Sequence, residues 1–422
     1  MILHTEIDKE ALFMKKMFAL FLTFILMMSI VPASMADDVT NVNVWSIYTG
    51  DDFRIIQGVV DSFNQANPDV HIEHIAIAAD DMYVKMALVA GDDSAAPVAC
   101  IMHSYNIPSF AKQGIIDPLD DFLTAYGDFS EDLYLSNEAG KVDGARYGIP
   151  FCAPTVVTYC NMDLAAQYCP EEVADGIITW DELYAIADRM VADGVTDVKL
   201  FGGSWGRNDM INAYEQCGGT YHAEGDPDTL VTINKEALIE ATNLWKGLYD
   251  MGLTQQDGDD VMGMLALGEL IFATGGTWNL SAVQEYGINF KMMPSIQNDI
   301  THTYNWGATE CIVKMHRNVT EAEQIATLRF MEYLRENAME WAKSGAIVMA
   351  KAAAESEEFK ALPQSGAMVG NTQTFAADHV YAGAFTTVFN DLGFQAVYGI
   401  ITPEEYADAV QTQCQQAIDG LN

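Results

Sequence analysis

The sequence predicts an α/β fold, and the clearest reason is the β-α-β pattern of its first folded stretch. Residues 42–48 (VNVWSIY) are rich in β-branched and aromatic side chains, which is typical of a strand. Residues 53–63 then repeat apolar side chains at helical spacing, and Asn67-Pro68 ends the predicted helix. Residues 70–75 alternate their faces as a second strand does. Such a unit predicts two parallel neighbouring strands joined by a right-handed crossover.

Length and composition predict a soluble globular protein of about two domains. The chain has 422 residues, of which 50% are hydrophobic and 19% are charged, and this is enough for a sizeable core. Its formal net charge of -39 argues against binding to nucleic acid or to anionic membrane surfaces. Solubility outside the cell explains this charge more simply than a cationic ligand does.

Residues 1–36 have the pattern of a secretory signal peptide. Met14-Lys15-Lys16 precedes an apolar run over 17–31, and small residues follow before the expected cleavage. The apolar run is shorter than the roughly 20 residues that span a membrane. Because residues 1–13 include three acidic side chains, we expect the natural start at Met14. The mature chain would then begin near Asp37 and be exported. Because no cysteine lies near the expected cleavage point, the sequence does not support a lipid anchor.

The seven cysteines are an odd number for an exported protein, so at least one thiol is expected to stay unpaired within the chain. We expect most of them to be buried free thiols that pack as small hydrophobic side chains. A disulfide between Cys160 and Cys169 stays open at this point. No CxxC motif or Cys/His cluster has metal-ligand spacing, so structural zinc is not expected. We expect no metal and no other cofactor.

The first candidate binding residues lie where predicted strands of the amino-terminal half end. Ligands of open α/β sheets bind beyond the carboxyl ends of the strands. Trp45, Tyr48 and Asp51 come from the first strand and the turn that follows it. His103 and Tyr105 follow the next buried strand. Aromatic rings beside carboxylates suit a sugar better than a phosphate.

The second half adds five candidates near glycine-rich segments or strand ends: Trp205, Arg207, Trp278, Asn279 and Trp306. Residues 202–208 (GGSWGRN) are polar and glycine-rich, so they are predicted to form a loop. Flat aromatic rings cover the apolar faces of a sugar, and planar polar side chains bind its hydroxyl groups. A tryptophan can equally belong to the core, and we assign Trp180, Trp245 and Trp341 to the core because they lie on amphipathic helices.

The order of short motifs along the mature chain resembles a known family. The motifs are GIIDPL (114–119), RYGIPF (146–151), YCNMDL (159–164), TWDEL (179–183), ATNLWKGLYDMG (241–252), FATGGTW (272–278) and ITPEEY (401–406). Each is weak alone, but together they resemble extracellular solute-binding protein family 1, the sugar-binding receptors of ABC importers related to maltose-binding protein. Cys160 in the third motif departs from the family pattern, and so does the missing lipid-modified cysteine, which leaves retention at the envelope open.

This resemblance implies a two-lobe periplasmic-binding-protein fold of type II, in which each lobe is a mixed sheet flanked by helices. A hinge joins the lobes, and both are discontinuous in sequence. The expected amino-terminal lobe comprises residues 37–151 and 307–352, and the carboxy-terminal lobe comprises residues 152–306 and 353–422.

The resemblance also implies a function and some of its residues. Gly276-Thr277-Trp278 matches a glycine-rich turn whose tryptophan stacks on the sugar, and Trp45 and His103-Ser104-Tyr105 match first-lobe loops that face the cleft. The implied protein is an exported monomer, periplasmic or at the cell surface. It would capture a mono- or oligosaccharide, close its lobes and dock on an ABC permease.

We expect a binding protein rather than an enzyme, because the sequence contains no catalytic motif. Gly202-Gly203-Ser204-Trp205-Gly206 lacks the spacing of a nucleophile elbow, and no P-loop, HExxH or EF-hand pattern is present. A secreted glycoside hydrolase would need a positioned carboxylate pair. With 60 acidic residues in the chain, the sequence gives no reason to prefer any one pair. The main alternative is the same fold binding a polyamine or another cation through carboxylates and aromatic rings.

Overall fold

The computed structural model describes residues 39–124, 130–136, 138–204, 206–223, 226–298, 307–367 and 382–421. The expected signal peptide, Trp205 and Trp306 lie outside these ranges. Asp51 and Arg207 lie on described helices, and the description at those two positions covers the backbone.

Strands and helices alternate along most of the described chain. The strands are β1 Thr40–Ser46, β2 Val70–Ala76, β3 Ala99–His103, β4 Ile116–Asp117, β5 Lys141–Val142, β6 Ala145–Arg146, β7 Gly148–Cys152, β8 Val156–Asn161, β9 Lys199–Gly203, β10 His222–Ala223, β11 Asp226–Val231, β12 Leu270–Gly276, β13 Phe290–Pro294 and β14 Glu310–Met315. The helices are α1 Asp51–Ala66, α2 Ala79–Val89, α3 Ile107–Lys112, α4 Asp120–Thr124, α5 Met162–Tyr168, α6 Trp180–Ala192, α7 Gly206–Gln216, α8 Lys235–Asp250, α9 Val261–Leu267, α10 Leu280–Glu285, α11 Glu321–Glu336, α12 Ala338–Ala342, α13 Lys351–Ala354, α14 Glu357–Lys360, α15 Ala382–Val397 and α16 Pro403–Leu421.

The first sheet has the strand order β2-β1-β3-β14-β4, and β7 also pairs with β14. Strands β1 and β2 are parallel, with Thr40 opposite Val70 and Ser46 opposite Ala76. This pairing confirms the β-α-β unit predicted from the sequence. Helix α1 buries Ile56, Val60 and other apolar side chains against one face of the sheet. Side chains alternate along a strand, so β1 also has apolar side chains on the opposite face of the sheet. These pack beneath α2.

The second sheet has the strand order β13-β8-β12-β9 and a core of its own. Trp180 and Trp245 are both buried in this second core, their ring centroids 5.7 Å apart. The sequence assignment of these two tryptophans to the core is therefore confirmed. Helices α15 and α16, the last of the chain, pack in the same core through Phe389 and Tyr406.

The chain passes from one sheet to the other where two segments lie side by side. Strand β7 belongs to the first sheet and β8 to the second, so the change of sheet falls between Cys152 and Val156. The chain is back in the first sheet at β14. Next to these strands, Gly307 forms an isolated antiparallel bridge with Thr155.

The prediction of a loop over residues 202–208 is wrong. Gly202 and Gly203 end the buried strand β9, and helix α7 begins at Gly206. A Cβ on Gly203 would lie 2.6 Å from the ring of Phe394 and 2.9 Å from that of Trp245. These glycines therefore allow close packing in the core rather than a mobile loop.

All seven cysteines are free thiols, and only Cys217 is partly exposed. The open question of a disulfide between Cys160 and Cys169 is answered in favour of two buried thiols. In the described part of the chain, no helix is both long and apolar enough to cross a membrane. The same residues contain no group of three or more side chains arranged to hold a metal ion.

Candidate functional site

A cavity of about 510 Å³ lies between the two sheets, within the range of roughly 300–1,000 Å³ that is usual for small-molecule sites. Most of its wall comes from turns at one edge of the first sheet, and a smaller part comes from the turn after β12. The lining residues are Ile47, Tyr48, Thr49, Gly50, Asp52, Ala78, Ala79, Asp80, His103, Cys152, Pro154, Thr277, Trp278, Asn279, Ala282, Ala308, Glu310, Trp341, Ser344 and Ala346. We call this space the cleft cavity.

Sheet topology explains why distant segments meet at the cleft cavity. Strands β1, β2 and β3 are parallel, so their carboxyl ends lie at one edge of the first sheet. Strand β14 runs antiparallel to β3 and β7, and so it begins at that same edge. Its first residue, Glu310, is therefore paired with the last residues of both neighbours, His103 and Cys152.

Glu310 is a buried carboxylate at the wall of the cleft cavity, with a relative exposure of only 4%. Its Oε2 accepts hydrogen bonds from the Tyr48 hydroxyl at 2.5 Å and from the Cys152 thiol at 2.9 Å. The Nε2 of His103 lies 3.8 Å from Oε1, and the Nδ1 of the same ring is bonded to the Tyr83 hydroxyl. The polar centre of the cavity is thus an acid held in place by neutral donors.

Burial controls the protonation of this group. It raises the pKa of Glu310 to about 7, while the hydrogen bonds from Cys152 and Tyr48 oppose the rise and the charge of Asp52 adds to it. Burial likewise raises the pKa of the Tyr48 hydroxyl and of the Cys152 thiol well above their usual values. At neutral pH both groups therefore stay protonated and act as donors to the carboxylate.

Aromatic rings form the apolar part of the first-sheet wall. The ring centroids of Tyr48 and Trp341 lie 4.6 Å apart, and Phe151 stacks on Trp341 at 5.6 Å. Trp341 is buried, at 3% exposure, as its assignment to the core predicts. It also lines the cleft cavity, which its position on an amphipathic helix did not indicate.

Trp278 belongs to the glycine-rich turn that ends β12. Strand β12 is buried along its whole length, and the chain then turns at Thr277–Asn279. The Asn279 side chain stabilises this turn by accepting a hydrogen bond from the Gly276 amide at 2.9 Å. The Trp278 indole folds back over Gly276, so closely that a Cβ there would lie 2.0 Å from the ring. Glycine at position 276 therefore determines where the indole lies.

We expect Gly276→Ala to weaken ligand binding, because the added methyl group displaces the Trp278 indole from its place in the cavity wall. Isothermal titration of the variant with a solute that the wild type binds measures this effect. Gly58→Ala is the matched control, since a Cβ there meets nothing within 4 Å, and this variant should bind like the wild type. Wild-type affinity in Gly276→Ala would contradict the role given to the turn.

The structure brings four of the predicted site residues together at the cleft cavity: Tyr48, His103, Trp278 and Asn279. Trp45 is not among the lining residues. It lies within β1 rather than beyond its end, and its side chain packs in the core beneath α2, beside Met82.

Tyr105 is buried in a short turn after β3 and stacks on His103 with ring centroids 4.9 Å apart. It contributes to the second core, so it bridges the two sheets instead of lining the cavity. Asp51 is the first residue of α1, and Arg207 lies in the first turn of α7. Trp205 and Trp306 lie outside the described residues.

Sequence reasoning missed Glu310 and Cys152, which form the polar centre. One signal was present in residues 307–315 (GATECIVKM), where a carboxylate directly precedes the apolar run Cys311-Ile312-Val313. An acid in such a position needs hydrogen-bonding partners, and this points to a special environment. Nothing local in the sequence indicated that Cys152 and Tyr48 supply them.

Comparison with solved structures identifies proteins of the same fold. The GacH receptor of Streptomyces glaucescens, described in complex with acarbose, matches with a TM-score of 0.75 and 15% identity, over 90% of this chain and 98% of that chain. A substrate-binding protein of Listeria monocytogenes in complex with cycloalternan gives 0.74 and 18%, over 90% and 100%. The MalE domain of Bdellovibrio bacteriovorus bound to maltotriose gives 0.73 and 16%, over 90% and 100%. These likenesses confirm the two-lobe periplasmic-binding-protein fold.

A sequence search of curated proteins finds no match. A family model described as bacterial extracellular solute-binding protein matches residues 58–367, which is well over half of the chain. This region includes the second sheet, the first sheet except β1, and all described residues of the cleft cavity except Ile47, Tyr48, Thr49, Gly50 and Asp52. The protein therefore belongs to the family of bacterial extracellular solute-binding proteins.

Proposed function

We propose that the protein captures an uncharged mono- or oligosaccharide in the cleft cavity and delivers it to the permease of an ABC importer. One observation carries this proposal: the cavity combines the Trp278 indole, from the turn after the second sheet, with the buried acceptor Glu310, from the first. A sugar offers apolar faces to an aromatic ring and hydroxyl donors to a carboxylate, so both groups can bind it at once.

The similar structures support a sugar as the ligand. Their descriptions name complexes with acarbose, cycloalternan and maltotriose. Those ligands belong to those proteins, and the likeness suggests the same chemical class for this chain rather than the same compound.

The proposed working cycle follows from the position of the cavity. The solute would bridge the two lobes and favour their closure, which removes water and strengthens the hydrogen bonds inside. We take the lobes to be residues 37–151 with 307–352 and residues 152–306 with 353–422. The closed form would act as a monomer that docks on the permease outside the membrane, in the periplasm or at the cell surface, and it would perform no chemistry on its ligand.

The competing proposal is a cationic solute that the carboxylates of the cavity bind. Glu310 is the buried one, whereas Asp80 is exposed and Asp52 is partly exposed. A cation site would need carboxylates that converge on one point, and here a single buried acid lies beside neutral donors. The observed contacts therefore favour a hydroxyl-rich ligand.

A thermal-shift screen tests this proposal. The mature protein is screened against glucose, galactose, mannose, maltotriose, mannotriose, spermidine and short peptides. A ligand at about 100 times its Kd stabilises the folded protein by about 2.7 kcal/mol, so we expect a rise in Tm with one class of sugar. A rise in Tm with spermidine alone would mean that the ligand is a cation and not a sugar. No rise with any sugar would contradict the proposal.

A further inference from the structure

The two oxygens of the Glu310 carboxylate have different surroundings. Oε2 accepts two hydrogen bonds, from Tyr48 and Cys152. Oε1 accepts none from any described residue, and the His103 Nε2 lies 3.8 Å from it, beyond hydrogen-bond distance. Oε1 is nevertheless not one of the fully enclosed atoms without a partner, so it stays accessible to a donor that the protein itself does not supply.

The position of Glu310 determines from where such a donor can come. The residue lines the cleft cavity, while its side chain is buried everywhere else. Tyr48 and Cys152 hold the carboxylate from one side and so fix the direction in which Oε1 can bond. A bound solute is then the natural donor for this oxygen.

The charges around the cavity limit the kind of solute. The acidic side chains in its described lining are Asp52, Asp80 and Glu310. The described titratable groups that act on Glu310 come from several elements, and they are Tyr48, Asp52, Tyr83, His103, Cys152 and Cys311. No lysine or arginine occurs among the described lining residues. A ligand carboxylate or phosphate would enter without a counter-charge and close to like charges, which is unfavourable.

We propose that Glu310 is the specificity-determining acceptor of the cleft, that its Oε1 receives a hydroxyl hydrogen of the sugar, and that the site therefore selects neutral sugars against acidic ones. This inference rests on the sugar-binding function proposed above and adds the residue and the selection rule.

The protonation of Glu310 supplies a readout that packing alone would not move. Because its pKa is raised to about 7, the free protein holds this acid partly protonated at neutral pH. A hydroxyl donor binds the ionised form more strongly, so binding lowers the pKa and the affinity rises with pH. If the bound pKa falls by about two pH units, the affinity increases about tenfold between pH 6 and pH 8.

Isothermal titration at pH 6 and pH 8 tests the proposal with the neutral sugar of the panel that raises Tm most. Glu310→Gln keeps the shape of the side chain and removes its charge. Glu73→Gln makes the same change at an exposed position on the edge strand of the same sheet and serves as the control. We expect Glu310→Gln to bind about tenfold or more weakly at pH 8, since hydrogen bonds to charged groups contribute most, and to lose the pH dependence.

The selection rule is tested by comparing the same neutral sugar with its uronic acid, for example glucose with glucuronate. The uronic acid should bind at least about tenfold more weakly to the wild type. Equal affinities for the two sugars, unchanged binding in Glu310→Gln, or a pH dependence that persists in this variant would each overturn the inference. These failures occur in a protein that still binds a sugar, whereas failure of the proposed function appears as no binding at all.

Discussion

Replacing Trp278 by alanine is expected to weaken sugar binding by about 2 kcal/mol or more, which is roughly 30-fold in Kd. The indole lines the cleft cavity from the second-sheet side, and its place is fixed by the turn that Asn279 stabilises. The variant would lose the flat apolar surface that covers a sugar face, while the hydrogen-bonding groups on the first-sheet side remain. Isothermal titration with the sugar found in the screen measures the change.

Tyr286→Ala is the matched control for this experiment. Tyr286 is a 41% exposed aromatic residue at the end of α10, close to Trp278 in sequence, and it does not line the cleft cavity. We expect its affinity to equal that of the wild type. Unchanged affinity in Trp278→Ala, with a normal Tm, would remove the indole from the binding site.

The largest effect on stability is expected for Trp245→Ala. The side chain is 2% exposed in the second core, and its ring centroid lies 4.5 Å from that of Phe201 and 5.7 Å from that of Trp180. Truncating a buried tryptophan removes its apolar contacts and leaves a cavity, so the free energy of unfolding should fall by about 3–5 kcal/mol. Urea unfolding followed by circular dichroism measures this loss.

Leu267→Ala provides the comparison, because Leu267 ends α9 with 76% of its side chain exposed. Exposed substitutions of this kind usually change stability by no more than about 0.5 kcal/mol. A fall of less than 1 kcal/mol for Trp245→Ala would mean that the second core does not depend on this aromatic cluster.

Features encoded by short stretches could be predicted from the sequence. The β1-α1-β2 unit follows from composition and helical spacing within residues 42–75, and the structure confirms it. Trp180 and Trp245 were assigned correctly because a helix with an apolar stripe buries that stripe wherever it packs. The two-lobe architecture came from the family resemblance, since periodicity alone does not indicate that β14 joins the first sheet.

The binding residues were harder to predict, because their environment depends on long-range pairing. Glu310 is bonded to Cys152, 158 residues away in sequence, and to Tyr48, 262 residues away. Gly202 and Gly203 were taken for loop residues because glycine permits turns, whereas here its missing side chain allows close packing. Trp45 was taken for a strand-end residue, but β1 runs on to Ser46 and its alternation turns the ring into the core.

A crystal structure of the mature protein with the most stabilising neutral sugar tests the central claim most directly. We predict that the sugar lies in the cleft cavity, with one apolar face on the Trp278 indole and a hydroxyl group within hydrogen-bond distance of the Glu310 Oε1. A sugar bound outside this cavity would contradict the account. So would a sugar that contacts one sheet and its turns but not the other.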